Sequence, residues 1–389
     1  MKLSDICDVY SGYALKEFNN EGDGFPVIKI GNILSDGSLL LEDCQYSKEN
    51  INEKYFSKYG DIYVALSGAT TGKIGIMQSR EKHIINQRVG IVRKKDSDIP
   101  ESYIKYFLLH QTERILNDAS GCAQPNISPK QIALYEVPNF DHEKILNIVS
   151  SLDKISNIIE LRKQQLQHLD DLIKARFVEM FGDPETNPMG WRCITVQQAI
   201  NEKIIDKPLD GNHGGKHPKV SDYVSDGIPF IMANNLVDGR VDLKNCAFIT
   251  RKQADSLDKG FAKDGDVLIT HKGTIGRTAI LHCEYPYIML TPQVTYYRPI
   301  TGIVSEYLKA YFDTDYFKRI IENIASVGST RAYIGITVQQ ELPLLIPTIE
   351  TQQEYATFVE QVDKSKVAVQ KALDEAQTLF DSLMQEYFG

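Results

Sequence analysis

The chain has 389 residues, 42% of them apolar, which is enough for ordinary cores and excludes disorder; at roughly 150 residues per domain it holds two or three domains. A formal net charge of −9 argues mildly against a nucleic-acid partner, because phosphate binders usually carry a basic footprint. The cysteines (Cys7, Cys44, Cys122, Cys193, Cys246, Cys283) form no Cys-x-x-Cys and no histidine stands at metal-ligand spacing, so reduced thiols in a cytoplasmic protein without zinc are expected.

Residues 1 to about 141 mix β-branched runs with Gly-Asp turns. Segments 26–30, 61–65, 74–77 and 88–92 read as strands, and 101–116 reads as a helix with Ile104, Phe107, Leu108 and Ile115 on one side. This is a compact α/β unit. Within it, Lys73, Arg80, Lys82, Arg88, Arg93, Lys94 and Lys95 are set against the single acid Glu81. The next segment, 142–183, differs in kind. Ile145, Ile148, Leu152, Ile155, Ile159, Arg162, Leu166, Leu169, Ile173, Arg176 and Met180 recur in steps of three and four, a seam of about five heptads. Pro138 precedes this helix and Gly182-Asp183-Pro184 stops it. Its length predicts a rod of roughly 60 Å.

Residues 184–347 then repeat the α/β unit, with its body from about 190, and 348–389 repeat the rod. In the second unit, Gly211 to Pro218 is a Gly-rich loop containing His213 and His217, and it reads as a mobile turn rather than a metal site. The second seam is Phe358, Val362, Ser365, Val369, Ala372, Ala376, Leu379 and Leu383, thinner than the first. From Glu350 onward eight acids face three lysines. A charge map this uneven suits a protein with both a polyanionic and a protein partner. Two such rods in one chain most simply pair antiparallel, which would place the globular units at opposite ends about a pseudo-twofold axis.

The doubling is explicit in the landmarks. Gly24-Phe25-Pro26-Val27-Ile28 returns as Gly227-Ile228-Pro229-Phe230-Ile231, and Asp36-Gly37 as Asp238-Gly239. Gly60-Asp61-Ile62 returns as Gly265-Asp266-Val267, Gly68-x3-Gly72-Lys73 as Gly273-x2-Gly276-Arg277, and Gln87 with Arg93 as Gln293 with Arg298. Gly121 matches Gly328, Pro138 matches Pro347, Leu152-Asp153-Lys154 matches Val362-Asp363-Lys364, and Phe181-Gly182 matches Phe388-Gly389. A period of about 200 residues is too long for a solenoid repeat, so this is a duplicated domain plus a duplicated helix. Cys44 and Cys246 match as well, which predicts a small buried residue in each core. Gln87 and Gln293 recur in both copies, which suggests a structural hydrogen bond.

Several chemistries are missing. An S-adenosylmethionine-dependent amino-methyltransferase would show a Gly-rich loop after its first strand and an Asn/Asp-Pro-Pro-aromatic tetrapeptide, and neither occurs. Gly68-Ala-Thr-Thr-Gly72-Lys73 is one residue short of a P-loop, and Ile74 replaces the Ser/Thr that would hold Mg²⁺, so it reads as a glycine-rich strand turn. No Ser-His-Asp arrangement, paired carboxylate or metal cluster stands out. The first residues, Met1-Lys2-Leu3-Ser4-Asp5, lack the apolar core of a signal peptide, and no apolar run reaches the roughly 20 residues of a membrane span.

Duplicated α/β domains, each followed by a heptad helix ending in Phe-Gly and without a catalytic motif, resemble the specificity subunit of type I restriction–modification enzymes. The resemblance covers the whole chain. It implies a duplicated α/β (α+β) fold, in which two target recognition domains (1–141 and 184–347) are separated by two long antiparallel coiled-coil helices (142–183 and 348–389). It further implies that each domain reads half of a split double-stranded DNA target, and that the chain acts in defence against foreign DNA without catalysing a reaction itself. Implied partners are two modification (methyltransferase) subunits and two restriction (translocase–nuclease) subunits. S-adenosylmethionine, ATP and Mg²⁺ would belong to them, with no cofactor, catalytic residue or metal site in this chain.

Base contacts cannot be carried over from a family whose members read different sequences, so they follow from chemistry: Arg and Lys suit guanine, Asn and Gln suit adenine, and both kinds hold phosphates. The candidates are Lys73, Arg80, Lys82, Asn86, Arg88, Gln124 and Asn126 in the first domain. In the second they are Lys216, Lys219, His271, Lys272, Arg277, Ser329, Thr330 and Arg331. Two rival readings stay open at this stage. One is a DNA-binding scaffold or regulator outside restriction–modification. The other is a fused methyltransferase, for which the chain has no room.

Overall fold

The computed structural model describes residues 1–95, 98–119, 125–326 and 333–389, apart from the side chains of Lys216 and Ser326. The chain forms two compact units, Met1–Gln164 with Gln370–Gly389, and Gln165–Val369. Each unit therefore contains one α/β domain and a part of both long helices.

In the first unit the main sheet is antiparallel, in the order Cys7–Ser11, Val89–Lys94, Ile62–Ala65, Ile74–Ile76. Its inner strand Ile62–Ala65 is buried at every position. A strand presents alternate side chains to opposite faces, and here both faces are covered. Ile62 and Val64 pack with Tyr103, Ile104 and Phe107 of the helix Glu101–His110. Tyr63 and Ala65 pack with Ile28, Met77 and Ile85, beside a second sheet ordered Gln45–Ser47, Phe25–Ile28, Ile84–Ile85. Burial on both sides is why the strand reads as a continuous apolar run. The helix expected over 101–116 is two, Glu101–His110 and Thr112–Ala119.

The second unit repeats this plan with more strands. Val267–Thr270 is the counterpart inner strand of a six-stranded sheet, again buried throughout. Val267 and Ile269 face the helical core with Tyr307 and Phe312, while Leu268 faces Ile231 and Leu290. Cys44 and Cys246 are half-buried, not core residues, and both are free thiols.

The two long helices, His142–Phe181 and Ile349–Phe388, have 40 residues each. In the second unit they run antiparallel: Arg176 meets Glu354 at 2.8 Å and Asp170 meets Lys366 at 2.6 Å. In the first unit Ile145, Ile148 and Leu152 share a core with Met384 and Phe388. Every expected position of the first seam is buried or half-buried. The second seam needs correction. Val362, Val369 and Leu383 are inward as expected, but Ser365 and Leu379 are exposed, and their neighbours Lys366 and Phe380 take the inward places. The inward series Tyr355, Val359, Val362, Lys366, Val369, Leu373, Ala376, Phe380, Leu383 is an unbroken heptad pattern. A lysine on that seam is what hid it from an apolar count.

The Phe-Gly pairs are anchors. Phe388 packs on Tyr103 with ring centroids 5.2 Å apart, and Phe181 packs on Tyr307 at 4.7 Å and Tyr355 at 5.4 Å. Gly182 has φ +76° and no room for a Cβ against Pro188, so the helix ends in a left-handed turn that only glycine fits.

Candidate nucleic-acid interface

The inner strand has two ends, and they are built differently. At one end both copies share the same ion pair and two of its backbone bonds. Asp61 accepts Arg93 Nε at 2.8 Å and Nη2 at 2.6 Å, and Asp266 accepts Arg298 Nε and Nη2 at 2.8 Å. The same aspartates accept the backbone N–H of Lys58 and Lys263, while the arginines donate to the carbonyls of Phe56 and Phe261. Asp61 and Asp266 are buried. Each is thus a two-point ion pair with its remaining hydrogen bonds satisfied, a frame rather than a reading surface.

At the other end the chain turns through Gly68 and Gly72 in the first copy and Gly273 and Gly276 in the second, all with φ between +80° and +84°. These glycine turns join antiparallel strands, as the reading of a strand turn over a P-loop requires. Two further segments are tied to each turn. Leu66 N–H donates to Arg88 O at 2.9 Å and Ile127 N–H to Leu66 O at 2.9 Å; His271 N–H donates to Gln293 O at 3.0 Å and Ile334 N–H to His271 O at 3.0 Å. Gly12 and Gly211 close the same corner, where an added Cβ would overlap the carbonyls of Ile85 and Asn86, or of Leu290. Segments 66–73, 84–88 and 125–131 contain no carboxylate, nor do 270–278, 288–294 and 333–340. In a chain of net charge −9, the cations on these segments have no acidic neighbour within the same segment.

The expected contact residues divide accordingly. Lys73, Asn86, Arg88 and Asn126 lie on the three joined segments of the first domain, and Lys272 and Arg277 on those of the second. Arg80 and Lys82 do not. Arg80 sits over the Tyr59 ring and Lys82 pairs with Glu53 at 2.6 Å, both toward the framed end. Lys219 starts a turn by donating its backbone N–H to Asp222 at 2.7 Å, next to the edge strand Tyr223–Val224. Gln124, Ser329, Thr330, Arg331 and the side chain of Lys216 lie outside the described residues.

His271 is a correction. Its side chain is 2% exposed and cannot reach a duplex. Nδ1 is 2.7 Å from Thr295 Oγ1, and Nε2 is 3.9 Å from Asp210 without a hydrogen bond. Burial lowers its pKa to about 4, so the ring is neutral. Asp210, also buried, bonds Lys259 and takes His213 Nε2 at 2.7 Å. Burial pushes that carboxyl up, but the bonds from Lys259 and His213 outweigh it and hold it below the usual range. Nor is the glycine-rich loop a mobile turn at its start: Gly211 and Asn212 are buried, and Asn212 donates to Lys259 O at 2.6 Å. Asp210 and Lys259 escaped the sequence reading because nothing in the spacing of two residues so far apart marks a pair.

Gln87 and Gln293 are a second correction. Both are exposed, and neither side chain makes a hydrogen bond among the described residues. They are not even equivalent. Val89 N–H donates to Asn86 O, and Val294 N–H to Thr291 O, so the partner of Gln293 is Arg88. Aligning the core valines instead of the glutamines would have shown it.

Among the described residues no helix is long and apolar enough to cross a membrane, and no group of side chains could hold a metal ion. Residues 1–170 and 210–376 match the model of the type I restriction modification DNA specificity domain. The chain is 22% identical to the type I restriction enzyme EcoBI specificity subunit of Escherichia coli, over 99% of this chain and 83% of that one. It is 20% identical to the EcoKI specificity subunit of Escherichia coli strain K12, over 93% and 80%. Its fold resembles the type I restriction–modification S subunit from M. genitalium, at 14% identity and TM-score 0.56 over 100% and 95% of the two chains. A structure reported for complex assembly and conformational transition of a type I system gives TM-score 0.56 at 15% identity, over 100% and 96%. The chain therefore belongs to the family of type I restriction–modification DNA specificity subunits, which are not catalysts themselves but set the DNA sequence on which their partner subunits act.

Proposed function

We propose that this subunit reads a bipartite double-stranded target, with residues 1–141 recognising one half and 184–347 the other. The observation that carries this is the glycine-turned sheet end in each copy of an acidic chain, whose three joined segments carry no carboxylate of their own. Cations there can neutralise phosphates, and amides and guanidinium groups can address base edges. Lys73, Asn86, Arg88 and Asn126 serve the first half; Lys272 and Arg277 serve the second.

In this reading the helical segments 142–183 and 348–389 act as spacer and docking surface. Two modification subunits and two restriction subunits join the complex in the cytoplasm, and they hold S-adenosylmethionine, ATP and Mg²⁺. The test is to replace residues 1–141 with the corresponding domain of another specificity subunit and map methylated bases by long-read sequencing. One half-site should change while the other stays. A change in both halves together would refute modular reading. Methyl transfer by the purified chain without partners would refute the assignment of chemistry to those partners.

A further inference from the structure

The two copies differ at one backbone position in a way that recognition chemistry can use. Arg88 and Gln293 each stand immediately before a buried strand residue, Val89 and Val294. Each accepts on its carbonyl the N–H of the residue just after the inner strand, Leu66 at 2.9 Å and His271 at 3.0 Å. Each is the third residue of a tight turn closed by the next residue's N–H on Asn86 O at 2.9 Å or Thr291 O at 3.1 Å. The backbone is therefore pinned on both sides, by the turn and by the bond from the neighbouring segment. Both side chains are exposed, and among the described residues neither has a hydrogen bond or ion pair. The framing arginines contrast with this, since Arg93 and Arg298 are spent on Asp61 and Asp266.

An unspent side chain on a pinned backbone, among segments that carry no carboxylate of their own, is placed to touch a base edge. A guanidinium fits O6 and N7 of guanine with two bonds, and a carboxamide fits N6 and N7 of adenine with two. We propose that Arg88 and Gln293 are the equivalent base-reading residues of the two domains, Arg88 selecting a guanine in one half-site and Gln293 an adenine in the other. This rests on the DNA-reading assignment above.

The test uses the complete modification complex and a library of randomised targets, with methylated sequences read out at the wild-type protein and at R88Q and Q293R. R88Q should move one position of one half-site from guanine to adenine, and Q293R one position of the other half from adenine to guanine. Each should shift the preference by roughly 10- to 100-fold, with the opposite half unchanged. An unchanged library overturns the proposal. So does uniform weakening of every sequence with a salt slope lowered by about one, which marks a phosphate contact. R88M and Q293M serve where a swapped complex does not assemble: each should relax one position only, and preserved discrimination there overturns the assignment. If exchanging residues 1–141 moves no half-site, the DNA-reading assignment itself has failed, a result that these point variants cannot produce.

Discussion

The two recognition domains are alike at one end of their inner strand and unlike at the other, and the division is sharp. Around Asp61 and Asp266 the two-point ion pair, the aspartate's bond from a backbone N–H and the arginine's bond to a phenylalanine carbonyl recur in both copies. Around Leu66 and His271 the backbone still agrees, but the side chains do not: Leu66 of the first copy is replaced by His271 in the second, Asn86 by Thr291, Arg88 by Gln293, and Asn126 by Tyr333. Ion pairs and glycines hold the scaffold, and the positions left free by it carry the difference. A duplicated reader needs this separation, because a new sequence can then be read without rebuilding the core.

The strongest way to break the comparison is through the frame. Arg93→Ala and Arg298→Ala each leave a buried carboxylate without its partner, at a cost of about 3–5 kcal/mol. Denaturant melts of the two variants should show similar losses, each in its own domain. A loss under about 1 kcal/mol in one of them would mean that the two pairs only look alike.

The next effect belongs to the proposed reading end of the second domain alone. His271 has a folded pKa of about 4 against an ordinary value of 6.5. The unfolded chain therefore binds a proton that the folded one refuses. Its stability contribution is complete above pH 6.5 and declines as pH falls toward 4. Between pH 7.5 and 5 the loss is about 2 kcal/mol. Asp210, Lys259, His213 and Lys272 surround the ring electrostatically, and Asp210 alone favours its protonation. His271→Leu, which installs the residue of the first copy, should remove this slope from the melts. A slope that survives the substitution belongs to another group.

Gly12→Ala and Gly211→Ala sharpen the comparison at the point where frame and reading end meet. Neither site has room for a Cβ against the neighbouring backbone, so each substitution should cost about 1–3 kcal/mol. Each should also blur the half-site read by its own domain. Intact discrimination despite the loss of stability would separate that corner from reading.

How much of this the sequence made legible follows the same line. The doubled Gly-Asp turn, the Phe-Gly anchors and the first heptad seam were readable because each rests on local spacing. The Asp61–Arg93 pair was visible only as two landmarks that recur together, since its geometry needs the sheet. Asp210 with Lys259, and the burial of His271, left no local mark at all. The false match of Gln87 with Gln293 arose because identity of residue type was preferred to identity of backbone role.

The smallest expected effect concerns the helices. The first seam is apolar except at Arg162 and Arg176, whereas the second carries Lys366 at an inward position. Lys366 reaches Asp170 at 2.6 Å, with side chains 22% and 46% exposed. An ion pair that open contributes about 1 kcal/mol or less. Leucine at the same place would bury apolar surface worth about 1 kcal/mol, so Lys366→Leu should leave stability unchanged or raise it slightly. What it should cost is choice of register, because one polar residue on a seam favours the alignment in which it finds its partner. A cysteine pair placed at Arg176 and Glu354 in a cysteine-free background reports that alignment through cross-linking yield. Lys366→Leu should lower the yield while the melt stays level. A lower melt with an unchanged yield would show instead that Lys366 holds the helices together rather than aligning them.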